Sequence, residues 1–234
     1  EMRLDTLAKS ITWRPGRVEV ATAAGPKLRA SAAVVTVPLP LLDPAADEPA
    51  ALRFSPRLDD KPAAARLLHM GPVTKVVLAF RRPFWRDIAA LEDVQFVHAY
   101  GRPLPTWWMP PDPAVPRLTG WAGGPYAAGL AGKSREEIRE AAVGSLAFAL
   151  GLAPDQVAGQ MEGWLFHDWN ADPLARGAYT YVGVGGGEAH RTLAAPVGAT
   201  LFFAGEATCG GGHNATMEGA LRSGRRAAAE LLAR

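Results

Sequence analysis

The stretch "LFFAGEATCGGGHNATMEGALRSGRRAAAELL", residues 201–232, decides how the rest of the chain is read. A short apolar strand, Leu201 to Ala204, leads through a glycine-rich turn into an amphipathic helix. Strand, glycine loop and helix in that order can hold a dinucleotide pyrophosphate on the helix N-terminus, where open N–H groups and the helix dipole favour negative charge. Gly210, Gly212 and Ala215 fit G-x-G-x-x-A. The full fingerprint also needs a following strand and an acidic residue about 20 positions on, and no residues follow Arg234 to supply them. A plain glycine-rich connection therefore stays open as a reading of these residues alone. Asn214 is expected to cap the helix. Met217, Ala220, Leu221, Gly224, Ala228 and Leu231 form its expected apolar face. Glu206 follows the strand directly, where a carboxylate would be exposed at a C-terminal strand edge. The stretch predicts a ligand site whose other half lies elsewhere.

The chain has 234 residues, enough for one large domain or two smaller ones with a proper core. Hydrophobic residues make up 48% and charged residues 21%, an ordinary globular composition. A formal charge of +2, with scattered arginines, argues against nucleic acid or an anionic membrane as partner. No apolar run approaches the roughly 20 residues of a membrane span. The single cysteine, Cys209, rules out an internal disulfide framework and suits a reducing, cytoplasmic setting. The N-terminus lacks a signal-peptide pattern and begins as if already inside a strand-forming segment.

Elsewhere the first segment reads as small strands, and strands dominate the middle with one long helix covering them, an α+β pattern. "RVEVATA" (Arg17 to Ala23) reads as a strand, and "ASAAVVTVPLPLL" as a continuous apolar strand ended by prolines. Residues 43–60 form a proline-punctuated connection, a candidate domain crossing. "KPAAARLLHMG" suggests a short helix and "PVTKVVLAFRRPFW" a strong strand. Residues 134–151 carry a well-signalled helix: Ser134 at the N-cap, Glu137 three residues later, Gly151 at the end. The fold class that follows is α/β, in three segments: 1–45 and 193–234 together as one domain, with 46–192 inserted as a second.

Some residues invite chemistry. Lys75 lies in "VTKVVLAF" and shares a strand face with Val73, Val77 and Ala79. It is either an edge-strand lysine facing water or a partly desolvated amine that orders a water near a reaction centre. Residues 169–181, "WNADPLARGAYTY", combine three aromatics with a turn; they suit either a core or a sandwich for a flat cofactor or neutral amine. Trp107 and Trp108 cannot both face inward on one strand. The five histidines show no metal-ligand spacing, so no metal is expected. No G-x-S-x-G is present, and Cys209 has no evident base nearby, so a hydrolase has little support.

Taken together and in order, "VTVPLPLL", "GPVTKVVLAFRRPFW", "WNADPLARGAYTYV" and "LFFAGEAT…NATMEGALRSGRRAA" resemble the flavin-containing amine oxidases. That family includes monoamine and polyamine oxidases, L-amino-acid oxidases and lysine-specific histone demethylases. The resemblance covers the family's later half; the N-terminal G-x-G-x-x-G unit that holds the ADP part of FAD is expected to be missing. It implies a substrate-binding domain inserted in an FAD-binding α/β domain. It further implies that Glu206 sits against the cofactor's sugar-phosphate region and that Thr216 and Met217 offer backbone contacts to the flavin. Ala8 matches a position whose backbone meets the adenine, and Lys75 the lysine that holds a water at flavin N5. Trp169 and Tyr179 match aromatics flanking the flavin and the substrate amine. Two departures follow. Ala178 stands where monoamine oxidases carry the cysteine that tethers FAD, so the flavin is expected to be non-covalent. Thr216 stands at the second cage aromatic, closer to the polyamine oxidase and demethylase branch.

The resemblance thus implies part of an FAD-dependent amine oxidase acting on a small amine, with oxygen as acceptor and a missing N-terminal half as its other part; the chain alone is expected to be inactive. A flavin desaturase or carotenoid-type dehydrogenase shares the C-terminal loop but lacks the lysine at position 75. A non-catalytic interaction domain with the same fold is the remaining alternative.

Overall fold

The computed structural model describes residues 1–42, 50–112 and 114–234. In chain order the first elements are β1 (Ala8–Arg14), β2 (Arg17–Thr22), β3 (Leu28–Ala30), β4 (Ala33–Val35), β5 (Arg53–Ser55), α1 (Asp60–Ala65) and β6 (Leu68–Gly71). Next come β7 (Val73–Phe80), β8 (Phe96–His98), β9 (Thr106–Trp108), β10 (Arg117–Gly123), α2 (Pro125–Ala128), α3 (Arg135–Leu150), α4 (Pro154–Ala158) and β11 (Met161–Phe166). The last are β12 (Tyr179–Val182), α5 (Ala189–Ala194), β13 (Leu201–Phe203) and α6 (Met217–Leu232).

Contacts group these elements into two units, Glu1–Gly71 with Asp172–Arg234, and Pro72–Ala171. The sequence reading placed its boundaries elsewhere. Its first, at 45/46, falls outside the described residues, and its second, at 192/193, lies inside the first unit. The reason is strand pairing that crosses the expected boundaries. β5 joins β1 in parallel, and β6 pairs antiparallel with β12. Residues 50–71 and 172–192 are thereby held with the terminal segments.

The first unit is a mixed α/β body. Its largest sheet has the order β3-β2-β1-β5, and a separate parallel pair joins β13 to β4. Ile11, Val18, Leu52, Leu68, Leu193, Leu201 and Phe203 lie in its core. The strand expected across residues 30–42 is shorter: only Ala33–Val35 is extended, and Leu39–Leu41 form a 3-10 turn. Pro38 and Pro40 lack the N–H a ladder needs, which ends the strand there.

The second unit is an antiparallel sheet, β11-β7-β10-β9-β8, covered on one face by α3. β7 alternates as its sequence predicts: Val76, Leu78 and Phe80 are buried, while Lys75 is exposed and Val77 and Ala79 half-buried. α3 begins at Ser134, whose hydroxyl accepts the Glu137 N–H while Glu137 accepts the Ser134 N–H; it ends on Gly151 in the left-handed region. Trp107 is fully buried and Trp108 half-buried on the opposite face. Gly120 makes room for the Trp107 ring, since a Cβ there would stand 2.7 Å from it.

Candidate functional site

The loop between β13 and α6 is built from the helix outward. α6 starts at Thr216, not Asn214: the Thr216 hydroxyl accepts the Gly219 N–H at 2.9 Å and donates to the His213 carbonyl at 2.6 Å. The Asn214 amide instead donates to the Thr180 carbonyl on β12, at 3.4 Å. Gly219 is required here, because a Cβ would lie 1.9 Å from the His213 carbonyl oxygen. The packed face of α6 also differs from the expected one. Gly219, Ser223 and Ala227 are buried, whereas Met217 and Leu221 are 81% and 55% exposed. Small side chains let the helix axis approach β13 closely, and hydrogen bonds then fix it. Ser223 Oγ accepts the Gly205 N–H at 2.9 Å, and Arg226 donates to the Phe203 and Thr208 carbonyls.

Glu206 occupies the centre of this arrangement. Its Oε1 accepts the Thr180 N–H at 3.2 Å; its Oε2 accepts the Thr180 hydroxyl and the Ala215 N–H, each at 2.7 Å. The structure therefore brings Glu206 and Thr216 together on one loop–helix junction, with Met217 as the first helical residue and Tyr179 next to Thr180. Gly219 bonds to the cap, so the first two N–H groups of α6, on Met217 and Glu218, are its open donors among the described residues. These donors and the positive end of the helix dipole fit an anionic or electron-rich carbonyl edge, the character of a flavin's pyrimidine end.

The other expected residues are placed as follows. Ala8 opens β1 and is half-buried beside the first unit's core. Tyr179 opens β12 and is 37% exposed. In the second unit, Lys75 is exposed on the outer sheet face, with its ammonium 5.8 Å from the Trp108 ring centroid. β7 is flanked by β10 and β11, so Lys75 is not on an edge strand. Trp169, 45% exposed, meets His167 edge-on at 4.3 Å. Its turn is held by Asp168, whose carboxylate accepts the Asn170 and Ala171 N–H groups, and by Asn170, which donates to the Val73 carbonyl. Among the described residues no group of His, Cys, Asp or Glu is arranged to hold a metal ion, and no helix is long and apolar enough to cross a membrane.

Sequence reasoning missed Lys61. It is 1% exposed, and its ammonium donates to the Thr192 and Ala195 carbonyls at 2.6 Å and to Leu193 at 3.3 Å. It also stands 4.5 Å from the centre of the Phe203 ring. Burial pulls its pKa down to about 8. Its partners lie more than 130 residues along the chain, so no local pattern marks it.

Residues 1–232 match the family model described as flavin containing amine oxidoreductase. The chain is 35% identical over 225 residues to lysine-specific histone demethylase 1 homolog 3 of Arabidopsis thaliana, covering 92% of this chain and 13% of that protein. It is 31% identical over 242 residues to polyamine oxidase 3 of Oryza sativa subsp. japonica, covering 97% of this chain and 47% of the relative. Among solved structures, putrescine oxidase bound to putrescine superposes with a TM-score of 0.77 at 21% identity, over 98% of this chain and 49% of that one. The chain thus spans less than half the length of each of these proteins.

Proposed function

The chain belongs to the flavin-containing amine oxidoreductases, and from that premise we propose that it forms the substrate-side and C-terminal cofactor-side portion of an FAD-dependent amine oxidase. An N-terminal dinucleotide-binding segment outside these residues completes the proposed enzyme. The observation that carries the reading is the junction ahead of α6, where Thr216 caps the helix through Gly219 and, among the described residues, leaves the Met217 and Glu218 N–H groups open. When bound, FAD would accept a hydride from the carbon beside a neutral amine, with oxygen as the final oxidant.

The chain's own residues then have distinct tasks. Thr216 and Met217 present backbone groups at the positive end of α6, where negative charge is stabilised. Lys75 holds a water through its ammonium. Trp169 and Tyr179 supply partly exposed aromatic faces, suited to a flat ring and to an unprotonated amine. Ala8 contributes backbone alone, toward the adenine. Ala178 has no nucleophile, so the cofactor is held without a covalent bond. Both polyamine oxidases and histone demethylases are among the relatives, and oxidation of an amine is the chemistry proposed here. The test is peroxide formation by the longer polypeptide, carrying this chain and its dinucleotide-binding segment, against a panel of aliphatic amines. Amine-dependent peroxide supports the reading; a purified polypeptide with no flavin, or with flavin and no amine-dependent peroxide, overturns it.

A further inference from the structure

The sequence reading put Glu206 against the cofactor's sugar-phosphate, but its observed partners point to different work. A carboxylate offers about four acceptor positions, and three are taken by uncharged groups of the chain itself: the Thr180 N–H, the Thr180 hydroxyl and the Ala215 N–H. Thr180 is 1% exposed, so its amide and hydroxyl need internal partners.

β12 pairs with β6 on one side only, and Thr180 turns its N–H and carbonyl to the other. Glu206 takes that N–H and Asn214 that carbonyl. The free edge of β12 is thereby closed by side chains of the loop rather than by another strand. At the far end of the loop, Ala215 has φ 60, a left-handed conformation that disfavours a residue bearing a Cβ. Its N–H is the one held by Glu206 Oε2, immediately before the Thr216 cap.

We infer that Glu206 is a positioning residue: its carboxylate locks the loop 209–216 to β12 through Thr180 and Ala215 and so fixes where the first turn of α6 stands. The clamp stands on this geometry alone; only its consequence for a bound flavin rests on the proposed function.

The variants Glu206→Gln and Glu206→Ala separate the contacts. In Glu206→Gln the amide oxygen can replace Oε2 and keep Ala215, while the NH2 group faces the Thr180 N–H and cannot accept from it. Residue-resolved amide exchange on this chain should then show faster exchange at Thr180 with protection retained at Ala215. In Glu206→Ala both amides should exchange about tenfold faster or more, as expected for losing a hydrogen bond to a charged acceptor. Exchange in the distal half of α6 should stay unchanged. If Glu206→Ala fails to fold, the split between the two amides in Glu206→Gln decides alone. Thr180 and Ala215 exchange matching the unaltered chain in either folded variant overturns the clamp. A second readout is the flavin absorbance spectrum of the longer polypeptide, which should shift in Glu206→Ala. A longer polypeptide that binds no flavin sinks the amine oxidase reading and leaves the exchange result standing. Loss of flavin in Glu206→Gln with unchanged exchange makes Glu206 a direct cofactor contact and overturns the positioning role.

Discussion

Lys61 makes the stability of this chain depend on alkaline pH in a way the geometry fixes. Its ammonium is buried against the end of α5, with three carbonyls as acceptors, the Phe203 ring beneath and the Asp60 carboxylate 3.9 Å away. Burial dominates and lowers the pKa from 10.5 to about 8; Asp60 and Glu230 oppose the shift, and Arg226 adds to it. Between these two values the unfolded chain holds a proton that the folded chain has released, so stability rises with pH. The difference of about 2.5 units corresponds to about 3 kcal/mol when fully developed. The neutral amine keeps two donors, enough for the 2.6 Å bonds to Thr192 and Ala195, and gives up the longer one to Leu193. The measurement is urea unfolding of the unaltered chain and of Lys61→Met at a series of pH values from about 7 to 10.5. The difference in unfolding free energy between the two should grow with pH in favour of the unaltered chain. Other titrating groups are common to both and cancel. A flat difference across that range would mean that burial does not depress the Lys61 pKa and that the carbonyls hold the ammonium as well as water does.

Lys75→Met in the longer polypeptide should slow the oxygen half-reaction about a hundredfold, on the order of 3 kcal/mol, while leaving unfolding free energy within a few tenths of a kcal/mol; stopped-flow oxidation reads the first and denaturation the second. Flavin should appear in the supernatant after acid precipitation of that polypeptide, because Ala178 offers no thioether; absorbance that stays with the pellet contradicts this. Gly219→Ala should destabilise the chain by about 1–3 kcal/mol, since the added methyl meets a backbone carbonyl at 1.9 Å that cannot rotate away; thermal unfolding checks it. The present chain alone should bind FAD weakly, since the proposed pyrophosphate cradle lies outside it; a tight, stoichiometric flavin complex would count against that.

Local signals read well where partners are close in sequence. The capping box and terminal glycine of α3, and the alternation of β7, depend on contacts within a few residues or on a simple inside–outside pattern. α6 misled because hydrophobicity favours burying Met217 and Leu221, whereas close approach to β13 favours the smaller Gly219, Ser223 and Ala227. Asn214 has a good capping side chain, but Thr180, 34 residues away, takes it. The unit boundaries turned on β1–β5 and β6–β12 pairing, which no local window contains. For the candidate site, the resemblance pointed to Glu206 and Thr216, and the contacts of Glu206 with Thr180 and Ala215 became visible only in three dimensions.

The central claim is that these residues form part of an enzyme that passes a hydride from an amine to FAD. Its most direct test is anaerobic mixing of the FAD-loaded longer polypeptide with aliphatic amines, followed by visible absorbance. At least one amine should bleach the flavin band, and admitting oxygen should restore it. A bound flavin that no amine bleaches would contradict the claim.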